Sequence, residues 1–154
     1  MRLIVLSVGQ PPRGPAAELV EDYVSRIRRF GISLDLRFVK EVRPSGRFTD
    51  AHRREREARA LTEALAEDAN RIALAPGPAT TTSEQLARKL ERWASPLAAF
   101  VIGGPTGLDP AFVRASEATL SLSAMTLPHE LARVVLVEQL YRAVTILRHV
   151  PYHK

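Results

Sequence analysis

Residues 97 to 102, Leu-Ala-Ala-Phe-Val-Ile, carry no polar side chain and run directly into Gly103-Gly104-Pro105-Thr106-Gly107. Such a run is expected of a strand buried on both faces of a parallel sheet. Arg2 to Val8 has nearly the same character and predicts a second buried strand. Parallel strands need crossovers rather than tight hairpins, and helices supply them. Gly14 and Pro15 provide a helix start, after which Ala16, Leu19, Tyr23, Ile27 and Phe30 recur at three-to-four-residue spacing as far as Gly31. Ile32 to Val39 then alternates apolar and polar residues, as in a strand with one wetter face near a sheet edge.

Further along, the loop Glu41 to Asp50 contains Pro44, Ser45 and Gly46, and Thr49 or Asp50 can cap a strongly charged helix running to about Asp68. Arg71 to Ala75 predicts a third strand. Thr82 with Gln85 makes a capping box for a helix to about Trp93. Asp109-Pro110 opens a short helix to about Ser116, Thr119 to Leu122 reads as a fifth strand, and a long helix runs from Pro128 to about Arg148. The apolar residues of that last helix cover more than one face, which predicts a homodimer that buries the excess. The whole pattern, over 1–154, is one α/β domain with a mostly parallel sheet and helices on both faces.

The 154 residues fit a single hydrophobic core. The absence of cysteine excludes disulfides, thiolate metal sites and thiol nucleophiles. The apolar run Leu3 to Val8 is too short for a signal sequence or membrane span, so a cytoplasmic protein without membrane contact is expected. Lys and Arg number 22 against 17 Asp and Glu, giving a formal charge of +5. Nearly all the cations are Arg, which grips phosphate through two parallel hydrogen bonds, so nucleic acid is the partner that charge nominates. The candidates are Arg2, Arg13, Arg26, Arg28, Arg29, Arg47, Arg53, Arg54 and Arg56.

In open parallel sheets ligands bind beyond the carboxyl ends of the strands, where the Gly103–Gly107 loop lies. Glycines there admit a ligand close to the backbone, although a plain strand-to-helix turn would need them too. Neither G-x-x-x-x-G-K-[ST] nor G-x-G-x-x-G is present. Leu120 to His129 is a second possible pocket wall; its alternative is an ordinary junction in which Thr126 caps the helix that Pro128 starts. His149 and His153 have i, i+4 spacing, but Pro151 intervenes and no acidic or thiolate ligand is near, so no metal site is expected. A tail histidine is a possible proton acceptor near neutral pH. Glu138 and Arg142 lie one turn apart, as a surface ion pair or as two groups facing a cleft.

Phe100-Val-Ile-Gly-Gly-Pro-Thr-Gly-Leu108, Leu120-Ser-Leu-Ser-Ala-Met-Thr-Leu-Pro-His129, Leu140-Tyr-Arg-Ala143 and Pro151-Tyr-His-Lys154, in this order, closely resemble the ribosomal RNA large-subunit methyltransferase H family. The resemblance runs from Leu3 to the last residue. It implies a SPOUT fold with a C-terminal trefoil knot, and S-adenosylmethionine-dependent methylation of N3 of a pseudouridine in 23S ribosomal RNA on the assembled ribosome. It also implies that Leu74, Gly103, Gly104, Ser123, Ala124, Met125, Thr126, Leu127 and Pro128 hold the cofactor. Where relatives often carry an acidic residue after the third-strand leucine, this chain has Ala75-Pro76-Gly77. Arg142, Tyr152 and His153 are the catalytic candidates, His153 or Tyr152 for proton removal or base positioning and Arg142 for charge on a uracil oxygen, with His129 a lesser one. The resemblance further implies a homodimer in which one subunit's tail completes the other's site. Two other readings compete: a SPOUT enzyme acting on another RNA such as tRNA, and a non-catalytic basic ribosome-binding protein.

Overall fold

The computed structural model describes residues 1–77 and 79–152. The chain runs β1 (Arg2–Val8), α1 (Gly14–Arg28), β2 (Ser33–Val39), α2 (Asp50–Ala64), β3 (Ala69–Leu74), α3 (Ser83–Trp93), β4 (Leu97–Ile102), α4 (Pro110–Arg114), β5 (Ala118–Leu120) and α5 (His129–Leu147). The five strands form one sheet in the order β2-β1-β4-β3-β5, and every pairing is parallel. The strand of alternating sequence, β2, lies at an edge, where one side stays wet, whereas all six residues of β4 are buried.

The two-residue period of the strands divides their side chains between two cores. Leu3 and Val5 of β1 and Ala98, Phe100 and Ile102 of β4 pack beneath α1, α3 and α5. Ile4, Leu6 and Val8, with Leu97, Ala99 and Val101, pack on the opposite face against Leu61 of α2 and Phe112 of α4. Burying a side chain of this size stabilises by about 1.5–3 kcal/mol, so strands fed from both faces dominate the fold's stability.

Several boundaries differ from the sequence expectation. α1 stops at Arg28, and Gly31 takes φ +72 in the turn that follows. α2 ends at Ala64 rather than near Asp68, because Leu65 turns to extended backbone and β3 starts at Ala69 to match the full length of β4. Asn70 anchors that earlier start through its side-chain amide, which donates to the carbonyls of Trp93 and Ser95. α4 closes at Arg114, with the Ser116 hydroxyl donating to the Phe112 carbonyl. β5 has only three residues, 118–120, since the chain leaves the sheet at Ser121.

The apolar surplus of α5 is absorbed mostly within the chain. α5 lies between α1 and α3, and Leu136, Val137, Leu140, Ala143 and Val144 are all buried there. Leu131 alone among its large apolar residues is exposed. The packing of α5 by itself therefore does not call for a second copy, because three helices side by side on one sheet face cover more of it than the sheet could.

Candidate functional site

At the carboxyl ends of β3, β4 and β5 the chain forms a cavity of about 710 Å³. That volume suits a small-molecule ligand. Three loops make its walls, and each leaves the sheet for a local reason. The first, Leu74-Ala75-Pro76, follows β3, and the Ala75 amide is held by the Leu120 carbonyl at 3.2 Å. The second, Gly103 to Gly107, follows β4; the Gly107 amide donates back to the Gly104 carbonyl at 2.9 Å, and Gly107 takes φ +80. A side chain at Gly103 would meet the backbone of Gly107 and Leu108 at 2.8 Å, so the turn closes only around glycine. The third, Leu122 to Pro128, is shaped by hydroxyls: the single Ser121 Oγ–H is shared between the Gly77 and Ser123 carbonyls, and Ser123 Oγ accepts from the Met125 amide.

The wall is largely apolar, with Leu74, Ile102, Leu120, Leu122, Met125 and Leu127 around backbone polar groups. Met125, 74% exposed, lies at the rim with a flexible, polarisable side chain. Pro128 caps α5 without any side-chain hydrogen bond, so Thr126 is not the helix cap and lines the cavity instead. The amino end of α5, with His129 and Ala132, closes the cavity, placing the positive end of the helix dipole beside it.

Of the residues the resemblance nominates for the cofactor, Leu74, Gly103, Gly104, Ser123, Met125, Thr126, Leu127 and Pro128 line this cavity. Ala124 is exposed and does not. Composition alone offered no signal for Ala75, Pro76 or Ala132; their contribution arises from how the loops fold over the strand ends.

The catalytic candidates are placed differently. Arg142 lies on α5 about 15 Å along the helix axis from Ala132, the last residue of that helix in the cavity wall. There it forms a two-pronged pair with Glu138 Oε1, at 3.0 and 2.7 Å, and its guanidinium lies 4.8 Å from the centre of the Tyr152 ring. The Glu138 hydrogen bond raises the Arg142 pKa, so it stays cationic. Tyr152 stacks edge-on against Tyr141 at 4.7 Å and its hydroxyl reaches Glu138 Oε1 at 3.3 Å and the Tyr23 hydroxyl at 3.4 Å. The bond to Tyr23, with burial and the Glu138 charge, holds the Tyr152 pKa well above the usual phenol value. Arg142 and Tyr152 are thus brought together, but within one chain they are not brought to the cavity. His153 lies outside the described residues.

Two buried charged residues beside the site were not read from the sequence. Glu57 of α2 accepts the Val42 amide at Oε1 (2.9 Å), while Oε2 has no hydrogen-bond partner among the described residues. Burial raises its pKa. Arg133, fully buried one turn after His129, donates to the Val8 carbonyl at 3.5 Å and lies over the Phe38 ring; its Nε and Nη1 have no partner among the described residues. Burial lowers the Arg133 pKa. Glu57 occurs on a strongly charged helix, where the pattern predicts solvent exposure, and Arg133 is a single cation in an apolar stretch of helix; periodicity carries no sign of the segments that cover them.

A family model described as "Predicted SPOUT methyltransferase" matches residues 1–153. The chain is 44% identical over 156 residues, covering 100% of both chains, to the ribosomal RNA large subunit methyltransferase H of Gemmatimonas aurantiaca. It is 44% identical, with the same full coverage, to the protein of that name from Anaeromyxobacter sp.. Among solved structures it resembles a probable methyltransferase from Bordetella pertussis, with a TM-score of 0.52 and 20% identity over 92% of this chain and 93% of that one, a likeness of fold. With a full-length family match and close relatives along the whole chain, this chain belongs to the SPOUT methyltransferases.

Proposed function

We propose that this protein methylates N3 of a pseudouridine in 23S ribosomal RNA, with S-adenosylmethionine as methyl donor and the assembled ribosome as substrate. The observation that carries the reading is the apolar cavity at the strand ends, in a chain that is similar along its whole length to proteins named ribosomal RNA large subunit methyltransferase H. Its chemistry fits the donor. Leu74, Leu122 and Leu127 can cover an adenine ring, and the glycine loop and the 123–128 loop offer backbone donors and acceptors to its edge and to the methionine end. When bound, S-adenosylmethionine supplies a methyl group on a sulfonium.

The reaction forms an N–CH3 bond at N3, breaks the methyl–sulfur bond and releases the N3 proton to a base. The protein's contribution is to align the nitrogen in line with the methyl and to manage that proton. Arg142, held cationic by Glu138, is suited to stabilising negative charge on a uracil oxygen. Tyr152, whose pKa is raised, is suited to donating a hydrogen bond to the base rather than removing its proton, which leaves His153 as the candidate acceptor. Because Arg142 stands about 15 Å along α5 from Ala132 of the cavity wall, with Tyr152 packed against it, we infer a homodimer in which they serve the partner's cavity. We read the segment from the glycine loop through α5 as the knotted part of the fold.

Methyl transfer to intact ribosomes, free 23S RNA and tRNA tests the substrate, with the expectation that ribosomes are modified and tRNA is not. Transfer to tRNA alone would replace this reading with another RNA. Failure to bind S-adenosylmethionine in high-micromolar calorimetry would leave a non-catalytic ribosome-binding module.

A further inference from the structure

The basic residues that composition nominated are not equivalent in the fold. Arg26 is paired with Asp22 at 2.8 Å, Arg28 donates to the Leu34 carbonyl, and Arg53 is buried. A different group is concentrated on the loop before α2 and on the first turns of α2. Three acidic residues of that stretch reach the surface, and each is occupied internally: Glu41 and Asp50 face Arg53 at 3.7 and 3.1 Å, and Glu55 holds Arg59 at 2.7 Å. Lys40, Arg43, Arg47 and Arg56 are exposed and form no ion pair with the described residues, so the outward face is strongly positive.

The loop that carries them is anchored at some energetic cost. Both backbone groups of Val42 are held by buried charged side chains of α2, the carbonyl by Arg53 Nε at 2.8 Å and the amide by Glu57 Oε1 at 2.9 Å. Beyond this anchor, Ser45 and Phe48 bridge across a tight turn, with the Phe48 amide donating to the Ser45 carbonyl at 3.1 Å and Arg47 at its tip. Phe48 is 37% exposed, and the Arg56 guanidinium lies 4.9 Å from its ring centre. A ring backed by one cation and surrounded by others is the arrangement on which an unpaired base stacks while its phosphates meet arginines. The surface is continuous with the site: Arg54 Nη1 donates to the carbonyl of Thr106, in the cavity wall, at 3.4 Å.

We propose that the Glu41–Thr49 loop and the first turns of α2 are the docking platform for an unpaired strand of the RNA substrate. Phe48 stacks on a base, and Arg43, Arg47 and Arg56 hold the flanking phosphates. This rests on the reading that RNA is the substrate, and it assigns a place to that RNA beside the glycine loop.

Fluorescence anisotropy with an unpaired oligoribonucleotide, and with a duplex of equal charge, tests it on the full-length protein. Phe48→Ala should weaken the unpaired strand by about tenfold, as expected for one lost stack, and the duplex by much less. The double variant R47Q/R56Q should weaken both and flatten the salt dependence, by about 0.7 in the log–log slope for each lost contact to the single strand. R59Q, whose cation is already paired with Glu55, should bind like the wild type. Calorimetry with S-adenosylmethionine, unchanged in every variant, excludes misfolding as the cause. Unaltered RNA affinity in both F48A and R47Q/R56Q, or competition by an acidic polypeptide as effective as by RNA, would overturn the platform. If the wild type fails to methylate ribosomes while the variants still lose RNA affinity, the platform stands and the substrate reading falls. If the wild type methylates and the variants bind and methylate equally well, the platform alone falls.

Discussion

Glu57 of α2 presses against Gly104 of the glycine loop: a Cβ at residue 104 would lie 3.2 Å from Glu57 Oε2 and 3.0 Å from Val8 Cγ1. A cavity-lining residue is thereby backed by a buried carboxylate from the opposite side of the sheet. The contact ties the cavity floor to the helix that anchors the Glu41–Thr49 loop.

The two glycines of this loop should respond differently to alanine. In Gly103→Ala the new methyl meets backbone at 2.8 Å, which cannot yield, and a loss of about 2–4 kcal/mol in denaturant unfolding is expected. In Gly104→Ala it meets side-chain ends that can give a little, so stability should fall by about 1 kcal/mol while the floor shifts and cofactor affinity drops about tenfold. Equal stability losses in the two variants would contradict this difference between backbone and side-chain neighbours.

Glu57 predicts a pH dependence. Its folded pKa lies above its ordinary value of 4.5, so the folded protein holds the proton more tightly than the unfolded chain. The stability contributed by protonated Glu57 is full below about pH 4.5 and is lost as pH rises through the folded value, at about 1.4 kcal/mol for each pH unit that separates the folded and unfolded titrations. Glu57→Gln keeps an oxygen for the Val42 amide and removes the titration. Thermal unfolding from pH 4 to 8 should therefore show the wild type losing stability relative to this variant, and parallel curves would refute the assignment.

Arg133 carries a buried charge with two nitrogen atoms that have no hydrogen-bond partner among the described residues, which costs free energy that its contacts with Val8 and Phe38 only partly offset. Arg133→Met, similar in length and without the charge, should leave stability unchanged or raise it by about 1 kcal/mol. Destabilisation by about 2 kcal/mol or more in urea would mean that those contacts outweigh the burial cost.

The separation of Arg142 and Tyr152 from the cavity predicts complementation between chains. Deleting residues 152–154 should abolish methyl transfer while leaving S-adenosylmethionine affinity within about threefold, a change of less than about 1 kcal/mol. Co-expressing that truncation with a Gly104→Val chain should restore activity that neither has alone, because one site in a mixed dimer would then be intact. Full activity of the truncation by itself would sink the tail's proposed role.

Part of the candidate site was legible as motif: Gly103-Gly104 at the end of an all-apolar strand admitted either a ligand loop or a plain turn, and the folded loop lines the cavity at the strand ends. Thr126 illustrates where local reading fails. A hydroxyl two residues before a proline resembles a helix cap, yet the 121–125 hydroxyl network fixes the loop so that Thr126 faces the cavity and Pro128 takes the cap position. Arg53 and Arg56 illustrate it again. They are three residues apart in one basic run, but one is buried against Val42 and two acids while the other lies beside an exposed Phe48.

By itself the sequence determined the parallel α/β layering, the edge position of β2 and the loop that follows β4, since these depend on apolar periodicity and glycine placement, which are local properties. Only the tertiary structure decided which charges are spent inside the fold and which face outward. It also decided that Arg142 and Tyr152 meet each other rather than the cavity of their own chain. Those outcomes depend on how loops fold back onto helices, and on the desolvation each charge undergoes there, neither of which apolar periodicity encodes.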